Sequence, residues 1–438
     1  MKLYIDPGTG SMLFTILIGV LGTGVYLLRN AFVKLKFLFS GGAKAKQAAE
    51  QRIPFAIFSD SKRYWNNFEP ICDEFEKRKL PIVYYTASPD DPALKKESEY
   101  VKAEFIGEGN KAFSKLNYLK ADILLSTTPG LDVYQWKRSK DVKWYVHVLH
   151  MANDPTTYRM FGLDYYDAVL LSGDYQIRQQ RQLEALRGLP AKDLRLAGVP
   201  YLDTMRSRLE AAGPLPEHPT TVLLAPSWGK SSIFGRYGDR VIKALLQTGY
   251  HVIVRPHPQS FTSEKEMMDR LMQAYPESEQ LEWNRDNDNF ECLRRSDILI
   301  SDFSGVIFDY TLVFQRPVIY ADTAFDKAPY DACWLEEELW TFRTLPKIGA
   351  QLTEEGLPHL KEQIDEMLHS PVYQNALEQA REETWANPGQ SARIIADYLV
   401  EKREALLEQD RTAETTDKAQ KHFKSRRHAK REKEVVPQ

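Results

Sequence analysis

Cysteine is scarce in this sequence, and its placement excludes several classes of protein. Cys72, Cys292 and Cys333 are the only three among 438 residues, and none forms a C-x-x-C pair. A disulfide framework and a cysteine-based zinc site are therefore not expected, and the chain suits a reducing compartment. No clustered carboxylates suggest a tightly held metal, so neither a metal site nor an obligatory cofactor is expected. An excess of one charge is missing too. Lys and Arg number 58 against 61 Asp and Glu, a net charge of -3. That balance argues against nucleic acid as a partner. No internal repeat is visible. The hydrophobic content of 43% is ordinary, and the length suffices for two cores.

Long apolar runs are equally rare, with one exception. Met12 to Leu28 is apolar apart from Thr15, Thr23 and Tyr26. With its flanks it reaches roughly 18–20 positions, the length needed to span a bilayer. Lys2 is the only basic residue before it, whereas Arg29, Lys34, Lys36, Lys44 and Lys46 follow. The basic side stays cytoplasmic by the positive-inside rule. The expectation is a short extracytoplasmic end (1–11), a single-pass transmembrane helix in the cell membrane (12–28), a basic linker (29–52) and a cytoplasmic body. The alternative is a buried or interfacial helix, because Phe32 to Phe39 continues an amphipathic pattern.

The body alternates short apolar runs with amphipathic stretches, which predicts α/β units built on parallel sheets. The first unit, 53–212, has predicted strands at 54–58, 81–85, 122–126, 144–149 and 168–171. Pro214, Pro216 and Pro219 mark a linker. The second unit, 213–410, has predicted strands at 221–225, 251–254, 298–300 and 318–320. A long helix is predicted over 391–408. From Arg411 few apolar residues remain, so 411–438 is expected to be a disordered basic tail.

Two motifs carry chemistry. In the first, Ile298–Ile300 runs into Ser301, Asp302, Phe303, Ser304 and Gly305, then into a helical pattern containing Asp309. A strand that ends in small hydroxyl residues and opens a helix offers main-chain N–H groups to an anion. Asp309, on the same helical side as Gly305, is placed for a ribose hydroxyl. A capped helix in an ordinary α/β domain is the competing reading. In the second motif, Val252–Val254 leads into Arg255, Pro256, His257 and Pro258. The prolines fix one histidine at a strand's C-terminal end, where open α/β sheets bind ligands.

Leu223 to Trp228, the Arg255–Pro258 segment, Ser301 to Tyr310 and Arg316 to Tyr320 together resemble the CDP-glycerol glycerophosphotransferase family of teichoic acid primases and polymerases. The resemblance covers roughly 143–399. It implies a GT-B-like fold, two Rossmann-type domains facing a cleft, with the last helix crossing back to the first domain. It implies transfer of glycerol phosphate, or a related polyol phosphate, from CDP-glycerol or a related CDP-polyol to a lipid-linked or polymeric acceptor at the membrane. His150 aligns with the family's general base, with Met151 where the family has glycine. His147, two residues earlier, is the rival. His257 is then the second catalytic residue. Arg255, Ser301, Asp302, Ser304, Gly305 and Asp309 would bind the donor nucleotide, and Asp302 could orient a loosely bound Mg2+. Two other readings stay open: a GT-B glycosyltransferase using a nucleotide sugar, and a non-catalytic membrane-tethered scaffold.

Overall fold

A computed structural model describes residues 52–286, 288–322 and 325–434. Among them no helix is long and apolar enough to cross a membrane. The anchor expected at 12–28 lies outside the described residues.

Two parallel sheets organise the chain. The first has seven strands: β1 (Ile53–Ser59), β2 (Ile82–Thr86), β3 (Val101–Phe105), β4 (Ala121–Ser126), β5 (Val142–Val148), β6 (Ala168–Leu171) and β7 (Asp193–Leu196). Their order is β3-β2-β1-β4-β5-β6-β7. The second has six: β8 (Thr221–Ala225), β9 (His251–Val254), β10 (Leu281–Trp283), β11 (Ile298–Ser301), β12 (Val318–Ala321) and β13 (Gly349–Leu352), ordered β10-β9-β8-β11-β12-β13. In each sheet the order reverses beside the first strand, between β1 and β4 and between β8 and β11. These are the switch points where α/β sheets leave room for ligands. The architecture is α/β and GT-B-like, with two Rossmann-like halves.

The central strands are apolar because both faces are covered. β4, β6, β8 and β11 are buried at every position. Helix Trp65–Lys77 covers one face of the first sheet through Trp65, Phe68, Ile71, Cys72 and Phe75, spaced three or four residues apart. Beside it lies the last helix, Ser391–Glu434. Its Ile395, Ala396, Tyr398 and Leu399 join the core of the first sheet. Arg78 pairs with Asp397 at 2.7 Å, and Arg403 with Asp122 at 2.9 Å. The helix therefore leaves the second half and crosses back to the first. Asp203 anchors its start by accepting from Gly389 N (2.8 Å) and Ser391 N (3.0 Å). Gly198 makes that approach feasible. Its φ is +88°, and a Cβ there would lie 2.4 Å from the Ala386 carbonyl oxygen.

The disordered tail expected from Arg411 is not found, because the Ser391 helix continues to Glu434. No glycine or proline interrupts 391–434, and the segment is rich in Ala, Glu, Lys, Arg and Gln. Helix propensity is enough to extend a helix already nucleated on the core.

A buried carboxylate joins the two halves. Helix Trp340–Ile348 begins after Leu339, which has no capping side chain. Asp154, from the loop after β5, takes its place. It is fully buried and accepts from Trp340 N (3.0 Å), Thr341 N (2.8 Å), Thr341 Oγ1 (2.6 Å) and Gln179 Nε2 (2.6 Å). An anion at a helix N-terminus satisfies two orphan donors and the dipole at once. Tyr175 stacks on Trp340 beside it, ring centroids 4.9 Å apart. Asp154→Ala should destabilise the protein by on the order of 3 kcal/mol, because several buried donors lose a charged acceptor. Asp154→Asn should cost less. Urea unfolding measures both, and a loss below about 1 kcal/mol for the alanine variant would contradict this role.

Candidate active site

The loops at the C-terminal ends of the strands meet around a cavity of ≈ 360 Å³. The first half contributes Arg63, Tyr64, Asn67, His150 and Tyr201 to its wall. The second contributes Arg255, His257, Asn289, Ser304 and Asp309. The two walls also touch. Tyr201 Oη donates to Asn289 Oδ1 at 2.9 Å, and Arg208 Nη1 donates to Asp288 Oδ1 at 3.0 Å.

His150 stands just past β5. Its Nδ1 is 2.7 Å from Thr127 Oγ1 and 3.5 Å from Tyr158 Oη. Tyr64 packs on the ring with centroids 4.6 Å apart. Burial, and then the Arg63 charge, bring the imidazole down to about 4. His147, the rival, is fully buried inside β5, with Nε2 3.3 Å from Tyr158 Oη. It packs against the rings of Tyr158 and Tyr166 and does not line the cavity.

His257 is held by a main-chain donor instead. The Gln259 N–H donates to its Nδ1 at 3.1 Å, so the ring proton sits on Nε2. Its main chain is pinned to β8 by the bond from His257 N to the Pro226 carbonyl (3.1 Å). Burial, then Arg63 and Arg255, bring it down to about 4. Arg255 lies beside it, and one arm of its guanidinium is held by Asn284 Oδ1.

Not every expected nucleotide ligand reaches the cavity. Ser304 and Asp309 line it, and desolvation pushes the Asp309 carboxyl up to about 7. Ser301 and Asp302 do not line it. Ser301 Oγ donates to the Ala225 carbonyl at 2.6 Å and ties β11 to β8. Asp302, only 1% exposed, accepts from Ser227 N (3.0 Å), Ser227 Oγ (2.6 Å), Ile233 N (3.1 Å) and Phe303 N (2.9 Å). Those donors occupy both carboxylate oxygens, so Asp302 fixes the turn and does not fit as a ligand for Mg2+. No group of three or more His, Cys, Asp or Glu side chains able to hold a metal occurs among the described residues. Gly305 sits between lining residues with φ −56°, and an added Cβ would meet only Asn153 Oδ1, at 3.7 Å. Its backbone does not demand glycine. The helix it opens, Val306–Asp309, has a single turn and passes into a π-helical stretch, Tyr310–Phe314. The macrodipole behind Ser304 is correspondingly short.

Sequence motifs did not flag Arg63, Tyr64 or Asn289. The only signal near the first two is the Ser59-Asp60-Ser61 ending of β1, which has the small polar character of the Ser301–Ser304 turn.

Two Rossmann-like halves with a cleft at their switch points define a GT-B-class protein. Similar solved structures include S. aureus MnaA bound to UDP, with a TM-score of 0.54 and 11% identity over 78% of this chain and 95% of that one. Another is the Methanocaldococcus jannaschii UDP-GlcNAc 2-epimerase in complex with UDP-GlcNAc and UDP, with a TM-score of 0.51 and 12% identity over 80% and 99%. At such identities the likeness establishes the fold alone. The family model for CDP-glycerol:poly(glycerophosphate) glycerophosphotransferase matches residues 44–333, and the chain belongs to that family of transferases. No curated protein matches it.

Because burial and nearby cations favour the neutral rings, His150 and His257 should titrate near 4 rather than near 6.5. Histidine NMR titration of the free protein measures this. Midpoints at or above 6.5 for both rings would contradict the cleft electrostatics.

Proposed function

We propose that this protein transfers glycerol phosphate, or a related polyol phosphate, from a CDP-linked donor to an acceptor hydroxyl and releases CMP. The observation that supports it most is the pair of histidines. Two neutral rings from facing halves line one cavity, and that of His257 carries its proton on Nε2. The acceptor O–H gives its proton to His150 Nε2 as its oxygen attacks the donor's distal phosphorus in line. The bond from that phosphorus to the CMP oxygen breaks. His257 Nε2–H, Arg255 and the Ser304 turn stabilise charge on the phosphates, which is most of what phosphoryl transfer asks of a protein. Products are a new phosphodiester, CMP and a proton on His150. Asp309 takes a ribose hydroxyl of the donor.

The acceptor is a lipid-linked or polymeric surface glycopolymer in this reading, and the body works on the cytoplasmic side of the cell membrane. Sedimentation with membranes that survives deletion of residues 1–40 would count against an anchor at 12–28.

A donor panel tests the activity. With CDP-glycerol, CDP-ribitol and common nucleotide sugars, CMP release is expected only from the CDP-polyols. His150→Ala should lower kcat by about 10²–10⁴-fold with donor affinity nearly unchanged. Nucleoside diphosphate release from a nucleotide sugar would show glycosyl transfer instead. No release from any donor would support a non-catalytic scaffold.

A further inference from the structure

The cleft contains a cation that no motif announces. β1 ends at Ser59, and the turn Lys62–Tyr64 follows it directly. Ser61 Oγ accepts from Arg63 N at 3.4 Å and from Arg63 Nε at 3.3 Å. The stem of Arg63 is thus fixed while the residue stays exposed on the cavity wall. Its neighbours are committed elsewhere. Lys62 pairs with Asp90, Arg208 with Asp288, and Arg255 gives one arm to Asn284. Arg63 enters no salt bridge among the described residues.

Its position is central. The next residue, Tyr64, packs on His150. The Arg63 charge lowers the basicity of both His150 and His257, which stand on opposite halves. The carboxylates of the cavity wall do not balance it. Asp288 is already held by Arg208, and desolvation pushes Asp309 up to about 7. An exposed guanidinium on a wall shared with two neutral histidines, in no salt bridge although the Asp60 carboxylate feels its charge, has the chemistry of an anion-binding group.

We propose that Arg63 is a second phosphate-binding cation of the cleft, reaching from the first half to the non-bridging oxygens of the donor diphosphate opposite Arg255. This rests on the donor reading given above and adds a consequence to it. A bound diphosphate is gripped by cations from both halves, so the donor holds the cleft together. Its negative charge also offsets Arg63 beside His150. The base is weak in the empty cleft and gains basicity when the donor arrives.

Calorimetry on the full chain with inorganic pyrophosphate and with CDP tests the site without requiring turnover. Arg63→Gln should weaken both ligands by about 10–100-fold, as loss of a charge-assisted contact does. Arg63→Lys should recover part of the loss. The His150 and His257 midpoints should both rise in Arg63→Gln, which a merely structural role would not produce. Unchanged affinity in a folded Arg63→Gln protein, or no pyrophosphate binding by the wild-type protein, would overturn the proposal. Pyrophosphate binding that depends on Arg63, in a protein that releases nothing from CDP-glycerol, would sink the donor reading and leave this site standing.

Discussion

The buried carboxylate of Asp154 is the interaction on which the cleft depends. It belongs to the same loop as His150, and it closes the N-terminus of a helix in the other half. A charged cap with several donors, out of solvent, is hard to replace by water or a neighbour. The loop after β5 is therefore not a free surface loop. Tyr175, stacked on Trp340 and bonded to the Ala152 carbonyl at 2.7 Å, backs it from behind. His150 is held at the cleft by packing and hydrogen bonds that extend across both halves.

This mooring explains how the loop tolerates Met151 where the family has glycine. Met151 packs against the core cluster that runs through both halves. The ring of His150 needs only the strand end, Thr127 and Tyr64 to set its direction. The second half positions its own histidine differently, by proline-bounded backbone and a main-chain N–H from Gln259. Two unrelated local solutions bring the two rings to one cavity.

The sequence revealed the sheet centres and concealed their edges. All nine strands read from apolar runs are present, and the four that were missed, β3, β7, β10 and β13, are the outermost strands of the two sheets. Edge strands bury less, so their composition is mixed: no residue of β7 is fully buried, and only Val101 is in β3. The motif residues divided by a similar logic. Arg255, His257, Ser304 and Asp309 reach the cavity. Ser301, the last residue of β11, and Asp302, the next one, are consumed in tying β11 to β8 and to Ser227. A hydroxyl or carboxylate in a phosphate-type turn looks the same in sequence whether it faces the ligand or the fold. Arg63 was invisible because nothing local marks it as a ligand. Only the apposition of two sheets brings it to the site. The C-terminal helix was misread past Arg411 because composition alone does not report that a helix has already been nucleated upstream.

A base and a donor cannot be exchanged, so the proposed reaction requires the two rings to carry their protons oppositely. Long-range nitrogen-15 correlation spectra of the free protein at neutral pH read the tautomers directly. His150 should be protonated on Nδ1, and His257 on Nε2. The same tautomer on both rings, or the two reversed, would contradict the account.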